Sequence, residues 1–208
     1  MLPRIDHLVY AAPDLQSGID TLEEQLGVRA AFGGRHVGFG THNALLSLGE
    51  GTYLEIIAPD PDQPRPPQPR PFNIDALREP RLATWAFAVN GIAEQAASAR
   101  SGGYDAGQVV PMTRALPDGG ELCWKLTRRR EAAGDGLVPF LIEWETETHP
   151  SATAPDGCIL RDLSAEHPHP DEVTRLLSAL GIALAITVAG RPALIATIEG
   201  PAGTVVLT

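Results

Sequence analysis

Residues 5–59 read IDHLVYAAPDLQSGIDTLEEQLGVRAAFGGRHVGFGTHNALLSLGEGTYLEIIAP, and this stretch decides the fold. The apolar run 5–12 predicts a strand, and the Pro-Asp pair that follows it predicts the turn that opens a helix. Within residues 14–26, leucine and isoleucine recur every three or four positions, which predicts one apolar helical face that ends at Gly27. Glycine-rich joints then separate three more predicted strands, near residues 33–39, 42–48 and 52–58.

Two titratable residues lie inside the predicted strands of this β-α-β-β-β unit. His7 is in the first strand and Glu55 is in the fourth. Side chains alternate between the two faces of a strand, and the neighbours of both residues are apolar enough to pack under the helix. We therefore expect His7 and Glu55 to point away from the helix, into the space that the sheet curls around. A hydrogen-bonded core histidine and a solvated glutamate are the alternatives.

The rest of the chain repeats this order of elements. A strand at 82–89 and a helix at 92–100 precede three more predicted strands, and the last part of the chain offers a shorter third copy. Prolines crowd the stretch between the first two copies, which no helix or sheet interior would accept. We predict an α+β protein whose tandem units form a half-open mixed β-barrel. Its parts are a first unit at 1–58, a linker or lid at 59–81, a second unit at 82–146 and a partial third β-α-β-β unit at 147–208.

Composition excludes several classes of partner. The chain has 208 residues, with 16 Lys and Arg against 26 Asp and Glu, which gives a net charge of −10 and a pI near 5.0. This charge argues against nucleic acid and against a polybasic membrane contact. No apolar run approaches the length of a membrane helix, and the first residues lack the apolar core of a signal peptide. Cys123 and Cys158 form no metal-binding spacing, so we expect a cytoplasmic protein.

Three strings resemble a known family. GGRHxGxGTHNALLSLGxGTYLEI, RALPDGGELCWKL and PFLIEW, in this order, are similar to the glyoxalase-like domain family of the vicinal oxygen chelate superfamily. The paired units, with His in the first strand and Glu in the fourth, resemble the same superfamily. The resemblance implies a barrel that holds a divalent metal between residues on the first and fourth strands of each unit. It also implies a substrate that presents two neighbouring oxygens to that metal.

Carried onto this sequence, the resemblance implies metal ligands at His7, Glu55 and Glu143. Glu145 lies on the same predicted face as Glu143 and is its rival. Thr84 matches His7 in the second unit and is not an ordinary ligand, so the set has a gap. One imidazole and two carboxylates suit Zn, Mn, Fe, Ni or Co, and no organic cofactor is expected.

Further residues are candidates for catalysis or for substrate binding. Glu143, displaced from a metal, is a candidate general base. His36 is expected to line the cavity, either as a substitute metal ligand or as an acid-base group, although a solvated turn would also explain it. Arg114 is suited to a substrate carboxylate or phosphate. Trp124 is either a pocket wall or a core residue. The substrate-binding candidates are Arg114, Trp124, Thr41 and Asn43.

Three more patterns predict ordinary structure. Residues 117–120 are typical of a hairpin turn. The basic run 128–130 predicts a solvated strand end. The sequence HPHP at 167–170 predicts a loop and a helix start and not a metal site.

The leading functional hypothesis is a small-molecule metalloenzyme of the lyase, isomerase or dioxygenase class that acts on a substrate with vicinal oxygens. A metal-free protein that binds or sequesters a small ligand in the same cavity is the alternative. An interaction module without a working pocket is the third. In each case we expect no nucleic-acid or membrane partner, and a homodimer is left open.

Overall fold

The structure is a computed structural model that describes residues 4–49, 51–115 and 120–208. The first unit begins at the N-terminal strand and contains one helix and four strands. Its elements are β1 (Ile5–Ala11), α1 (Leu15–Leu26), β2 (Ala31–His36), β3 (Thr41–Ser47) and β4 (Tyr53–Pro59).

Helix α1 has the boundaries that the sequence predicts. The Asp14 side chain accepts a hydrogen bond of 2.8 Å from the Ser17 amide and caps the N-terminus. Gly27 ends the helix in a left-handed conformation, with φ of 80°. The buried face comprises Leu15, Gly18, Ile19, Leu22 and Leu26.

Strand β2 differs from its prediction. It covers Ala31–His36, whereas the sequence predicted 33–39, because the chain turns after His36. Gly38 and Gly40 adopt φ of 81° and 65° in that turn, which other residues would adopt only with strain. These two glycines are therefore signals of the turn and are not part of the strand.

The second unit follows the same order as the first. Its elements are β5 (Arg81–Ala88), α2 (Ile92–Ser101), β6 (Gln108–Ala115), β7 (Glu121–Arg128) and β8 (Phe140–Trp144). The hairpin turn predicted at 117–120 falls largely on residues 116–119, which lie outside the described residues.

One eight-stranded sheet joins the two units in the order β2-β3-β4-β1-β5-β8-β7-β6. Counted outward from the centre, the strands of each half are the first, fourth, third and second strands of their unit. Strands β1 and β5 are antiparallel neighbours at the centre, where His7 lies opposite Ala86. The halves are therefore related by a local two-fold axis beside this pair, as the predicted half-open barrel requires.

The two edge strands, β2 and β6, curl toward each other and come into contact. Arg114 of β6 lies against Gly34 of β2, where a Cβ atom would come within 2.6 Å of Arg114 Cδ. Only the missing side chain of Gly34 leaves room for this approach. The two edges of the sheet thus meet within one chain through contacts between β2 and β6, which lie at opposite ends of the hydrogen-bonded strand order.

The C-terminal part has the predicted element types but its own strand pairing. It contains β9 (Ile159–His167), α3 (Pro170–Ala179), β10 (Ala185–Val188), β11 (Ala193–Gly200) and β12 (Gly203–Leu207). Its sheet has the order β10-β9-β11-β12, so its first strand pairs with the second and third, whereas in the two units the first pairs with the fourth. The strand pairing of this part therefore differs from that of the two units, and its description as a partial third unit stays a prediction.

The main core lies between the convex face of the large sheet, the helices and the C-terminal sheet. Its fully buried members include Leu8, Leu54, Trp85, Leu141 and Ala196. None of the helices within the described ranges combines the length and the apolarity needed to cross a membrane. The concave face of the large sheet is left to enclose a cavity.

Residues 60–80 connect β4 to β5 across the mouth of this cavity. Arg70 in this connection donates a hydrogen bond of 2.7 Å to the Gly40 carbonyl, which ties it to the β2–β3 turn. Phe72 and Asn73 adopt φ of 61° and 53°, and both line the cavity. That this segment opens as a lid stays a prediction, as do the domain boundaries drawn from the sequence.

Candidate functional site

The concave side of the large sheet encloses a half-open cavity of about 1570 Å³. Both units contribute to its wall. One group of polar lining residues clusters around Glu55 and Asn43. It comprises His7, His36, Thr41, Asn43, Glu55 and Arg114. All of these except Arg114 come from the first unit.

His7 lies on β1 and is almost fully buried, at 4% exposure. Its Nδ1 is 2.7 Å from Asp6 Oδ1, and its ring stacks on Tyr53 with 4.6 Å between the ring centroids. Because a carboxylate only accepts hydrogen bonds, Nδ1 carries the proton. Nε2 is then the nitrogen that faces Glu55 and the cavity.

Asp6 was not among the residues singled out from the sequence. Strict alternation would place it on the face opposite to His7, but the pairing of β1 with β5 shifts register between Ile5 and His7. This irregularity brings the two neighbouring side chains together. An isolated acid inside an apolar strand was the one available signal.

Two more donors hold the Asp6 carboxylate, which is 1% exposed. Trp144 Nε1 donates to Oδ2 at 2.8 Å, and His149 Nε2 lies 3.2 Å from the same oxygen. Burial alone would raise the pKa of this carboxyl, but the hydrogen bonds from His149 and His7 outweigh it and hold the pKa at about 2. Asp6 is therefore an anion at neutral pH and orients the imidazole of His7.

Glu55 lies on β4 and faces the same cavity. Its Oε2 is 3.8 Å from His7 Nε2, so the imidazole and the acid predicted to share one space do share it. Asn43 Nδ2 donates to the other oxygen, Oε1, at 2.6 Å. The 3.8 Å gap between His7 and Glu55 exceeds a hydrogen bond and leaves both atoms facing the cavity.

Thr41, Asn43 and His36 form a connected group beside Glu55. His36 Nε2 is 3.3 Å from Asn43 Nδ2, and His36 Nδ1 is 3.0 Å from Thr41 Oγ1. An amide nitrogen can only donate, so His36 Nε2 is an acceptor and the ring is neutral. Burial lowers the pKa of His36, against the opposing effect of the Glu55 charge, which agrees with that assignment.

Arg114 reaches the same group from β6, where this strand contacts β2. Its Nη1 donates to Asn43 Oδ1 at 3.3 Å. A Cβ atom on Gly33 would come within 2.9 Å of Nη1, so both glycines of the Gly33-Gly34 pair make room for this side chain. The two glycines thus admit Arg114 to the cavity wall.

The prediction that Glu143 lies beside His7 and Glu55 is wrong. The Glu143 carboxylate accepts hydrogen bonds from the Gly91 and Ile92 amides, at 2.5 and 3.3 Å, and caps the start of α2. Along β8, Phe140, Ile142 and Trp144 face the cavity, so Glu143 faces the helices. Its rival Glu145 pairs with Lys125 Nζ at 2.6 Å.

The strand register also corrects the match made for His7. His7 lies beside Tyr53 in the first unit, and Ala86 lies beside Phe140 in the second. Ala86 is therefore the counterpart of His7, and Ile142, two residues beyond Phe140, is the counterpart of Glu55. Thr84 lies opposite Val9 and lines the cavity.

Comparison with known proteins gives the family. The family model of the glyoxalase-like domain matches residues 5–181, most of the chain. The chain belongs to the glyoxalase-like domain family. This confirms the family, within the vicinal oxygen chelate superfamily, that its sequence strings resemble.

Several solved structures are similar to this glyoxalase-like domain, and the first of them supports the fold. A hypothetical protein from Staphylococcus aureus is 13% identical, with a TM-score of 0.68 over 94% of this chain and 90% of that one. Methylmalonyl-CoA epimerase from Mycobacterium tuberculosis is 20% identical over 69% and 92% of the two chains, with a TM-score of 0.44. A Streptomyces coelicolor methylmalonyl-CoA epimerase bound to 2-nitronate-propionyl-CoA is 18% identical over 70% and 100%, with a TM-score of 0.45. A search of curated proteins found no match.

The ligand set that the superfamily implies is incomplete in this glyoxalase-like domain. Ala86 and Ile142 occupy the two second-unit positions, and neither side chain can bind a metal. His7 and His36 each approach Glu55 to 3.8 Å, but they approach different carboxylate oxygens. Among the described residues, no three His, Cys, Asp or Glu side chains converge as a metal site. The donor set therefore does not fit a divalent metal held from both units.

Aromatic and apolar side chains form a continuous part of the second unit's share of the cavity wall, which also contains Thr84 and several arginines. The rings of Trp124 and Trp144 lie 5.3 Å apart, and Leu122 and Ile142 pack with them. Trp124 is thus both a packed residue and a pocket wall, which unites the two alternatives for it.

The remaining sequence patterns adopt ordinary structures. The HPHP sequence ends β9 and opens α3, as predicted, and His167 Nε2 lies 3.1 Å from Asp135 Oδ2. Arg128 ends β7 and stacks over the ring of Phe39, 5.0 Å from its centroid. Both cysteines are free.

Proposed function

We propose that this protein is a small-molecule enzyme that transfers a proton within a substrate bearing vicinal oxygens, in the isomerase or lyase class. The observation that supports this most is the Asp6–His7 pair, with Nε2 of His7 facing Glu55 across 3.8 Å. An imidazole whose other nitrogen donates to a fixed carboxylate is well suited to general acid-base catalysis.

The chemistry needs two proton-handling groups at one carbon–carbon bond. His7 Nε2 takes a proton from the carbon next to a carbonyl, and the electron pair of that bond moves toward the carbonyl oxygen. The imidazolium formed at His7 returns the proton to the neighbouring carbon, while the Glu55 carboxylate carries the hydroxyl proton of the substrate from one of the vicinal oxygens to the other. The distance between His7 and Glu55 suits both groups to neighbouring atoms of one small substrate.

Within the classes that the sequence suggested, proton transfer suits these residues better than oxidation by O2. Oxygen activation requires a ligated redox metal or an organic cofactor. The described side chains do not offer a three-ligand set. No step here is therefore assigned to a metal.

A metal-free ligand-binding protein is the second candidate. The Asn43 amide bridges Glu55 and Arg114, so Glu55 has a partner within the protein and need not take part in a reaction. The Trp124–Trp144 wall would hold a ligand without reacting with it.

Hydrogen–deuterium exchange tests the enzymatic proposal without knowledge of the product. A panel of 2-hydroxy and 2-oxo carbonyl compounds is incubated with the protein in D2O, and loss of the proton next to the carbonyl is followed by NMR. We expect exchange on at least one compound and a rate lower by about 100-fold or more in His7→Gln, because general-base catalysis is of that order. Arg191→Gln, an exposed change outside the cavity lining, is the control.

Three results would contradict the proposal. Exchange that His7→Gln and Glu55→Gln both leave unchanged would remove these residues from the chemistry. Stoichiometric metal in protein purified without a metal-affinity tag, together with loss of exchange on chelation, would restore the metalloenzyme. Binding of panel compounds without any exchange would favour the second candidate.

A further inference from the structure

The side chain of Arg114 is a buried cation without a full set of partners. It is 9% exposed, and burial lowers the pKa of its guanidinium. Within the described ranges its one hydrogen bond runs from Nη1 to Asn43 Oδ1, and its buried Nε has no partner. Removing a guanidinium from water costs several kcal/mol unless an anion or a complete set of acceptors compensates. Such a group inside a cavity therefore points to a ligand that supplies the missing negative charge.

Asn43 keeps the protein's own nearest acid away from this cation. Its amide oxygen accepts from Arg114 while its amide nitrogen donates to Glu55, so it stands between the two charges. The Gly33-Gly34 pair leaves room for the arginine, since a Cβ atom on either residue would collide with it. The cation is therefore not neutralised by direct contact with a carboxylate of the described residues.

We propose that Arg114 binds the carboxylate group of the substrate, which makes that substrate a small monocarboxylic acid with an apolar or aromatic body. This inference rests on the proposed function where it calls the ligand a substrate. The binding site itself is argued independently of that function. Gly34 covers Nε, so the carboxylate contacts the terminal amino groups, which have N–H donors beyond the one bonded to Asn43.

The surrounding charges favour a monoanion over a phosphate. Beside Asn43, Arg114 contributes one positive charge, whereas the Glu55 carboxylate lies beyond Asn43 and the Asp6 anion lies behind His7. Other arginines line the cavity, but Arg70 is paired with Asp75 at 2.7 Å, and Arg128 lies opposite Gln108, six positions along β6 from Arg114. A carboxylate balances Arg114, whereas a phosphate dianion would add a second negative charge near Glu55.

The apolar part of the ligand has a wall directly beside the cation. The register of β6 with β7 places Leu122 opposite Arg114 and Trp124 opposite Met112. Residues 112 and 114, and likewise 122 and 124, share one face of the sheet. A body that extends from the carboxylate along these strands therefore meets Trp124 and then Trp144.

Three probes with one ring and different head groups test the inference: phenylacetate, phenylacetamide and phenyl phosphate. Calorimetric titration at constant ionic strength should show phenylacetate binding about tenfold or more tightly than phenylacetamide, the size of one charge-assisted contact. Arg114→Gln should abolish that preference, and Arg114→Lys should keep part of it. Arg191→Gln is the matched control, and circular dichroism with thermal melting verifies that each variant folds.

The outcomes separate this inference from the proposed function. Phenylacetate that binds no more tightly than phenylacetamide, or a preference that survives Arg114→Gln, overturns the carboxylate site. Phenyl phosphate that binds more tightly than phenylacetate overturns the choice of a monoanion. His7→Gln should lose deuterium exchange and keep the carboxylate preference. If the wild-type protein shows the Arg114-dependent preference and no exchange, the binding site stands and the enzymatic proposal fails.

Discussion

The two halves of the barrel share a strand arrangement but present opposite chemistry to the cavity. In the first unit, the central positions hold His7 and Glu55, with Asn43 and His36 beside them. In the second, the register places Ala86 and Ile142 at the matching positions. Arg114 of the second unit crosses to the first unit, where it donates to Asn43.

The comparison shows that the two units share a strand arrangement without sharing the side chains that face the cavity. Backbone pairing keeps both halves superposable, because it depends on strand geometry and not on the side chains that face the cavity. The first unit supplies His7, His36 and Glu55, and the second supplies the apolar surface around Trp124 and Trp144. After the functions proposed for them, we call these the reactive side and the binding side of the cavity.

The largest effect should come from making the halves alike. The double variant Ala86→His/Ile142→Glu would place four metal ligands, two imidazoles and two carboxylates, at the four related positions. We expect it to bind Zn²⁺ or Ni²⁺ about 100-fold or more tightly than the parent chain, since four ligands replace two. Both sites are almost fully buried, so the metal-free variant should also melt at a lower temperature and regain stability when metal is added.

Each single variant is the control for this experiment, which is read by calorimetry and thermal melting. Equal metal affinity in the double variant and the parent would mean that the strand register does not relate the two halves in the way described.

A smaller effect should follow from neutralising Asp6, which stands behind the reactive side. Its folded-state pKa, about 2, lies below the ordinary value of 3.8, so its contribution is complete above about pH 4 and is lost as the pH falls toward 2. The shift corresponds to about 2 kcal/mol of unfolding free energy at neutral pH. Asp6→Asn should lose this stability and show a flatter decline in acid, measured by urea unfolding between pH 7 and pH 2.

Asp162→Asn, a change at an exposed carboxylate of β9, is the matched control. A decline in acid as steep in Asp6→Asn as in the wild type would show that Asp6 is not the anion that His7 and His149 stabilise.

The smallest effect should distinguish the two tryptophans of the binding side. Trp144→Phe removes the Nε1 donor to Asp6 and should cost about 1 kcal/mol of unfolding free energy more than Trp124→Phe, the typical worth of a buried hydrogen bond. Denaturant unfolding of both variants gives the comparison. Equal losses would leave the Trp144–Asp6 bond without a stabilising role.

Local patterns predicted most of the fold. The apolar spacing of α1, its Asp14 cap and Gly27 are signals contained within a few residues, and they gave the helix its observed ends. The two-unit architecture followed from repetition of such signals. The C-terminal sheet was predicted as elements but not as a topology, because the pairing of β9 with β10 depends on contacts between distant segments.

The site was predictable only where alternation along a strand is regular. His7 and Glu55 were found in this way. The prediction for Glu143 was wrong because the sequence match placed the counterpart of Glu55 one position too late along β8. A shift of one position moves a side chain to the other face of the strand. Asp6 was missed because a register shift in β1 cannot be seen in the sequence. The partnership of Arg114 with Asn43 spans 71 positions and depends on the contact between β2 and β6.

The contact between β2 and β6 has a consequence for assembly. All the residues proposed for binding or catalysis come from one polypeptide. Arg114 completes this set by reaching Asn43 where β6 meets β2. Dilution should therefore leave ligand affinity and turnover per molecule unchanged, whether or not two copies associate at higher concentration.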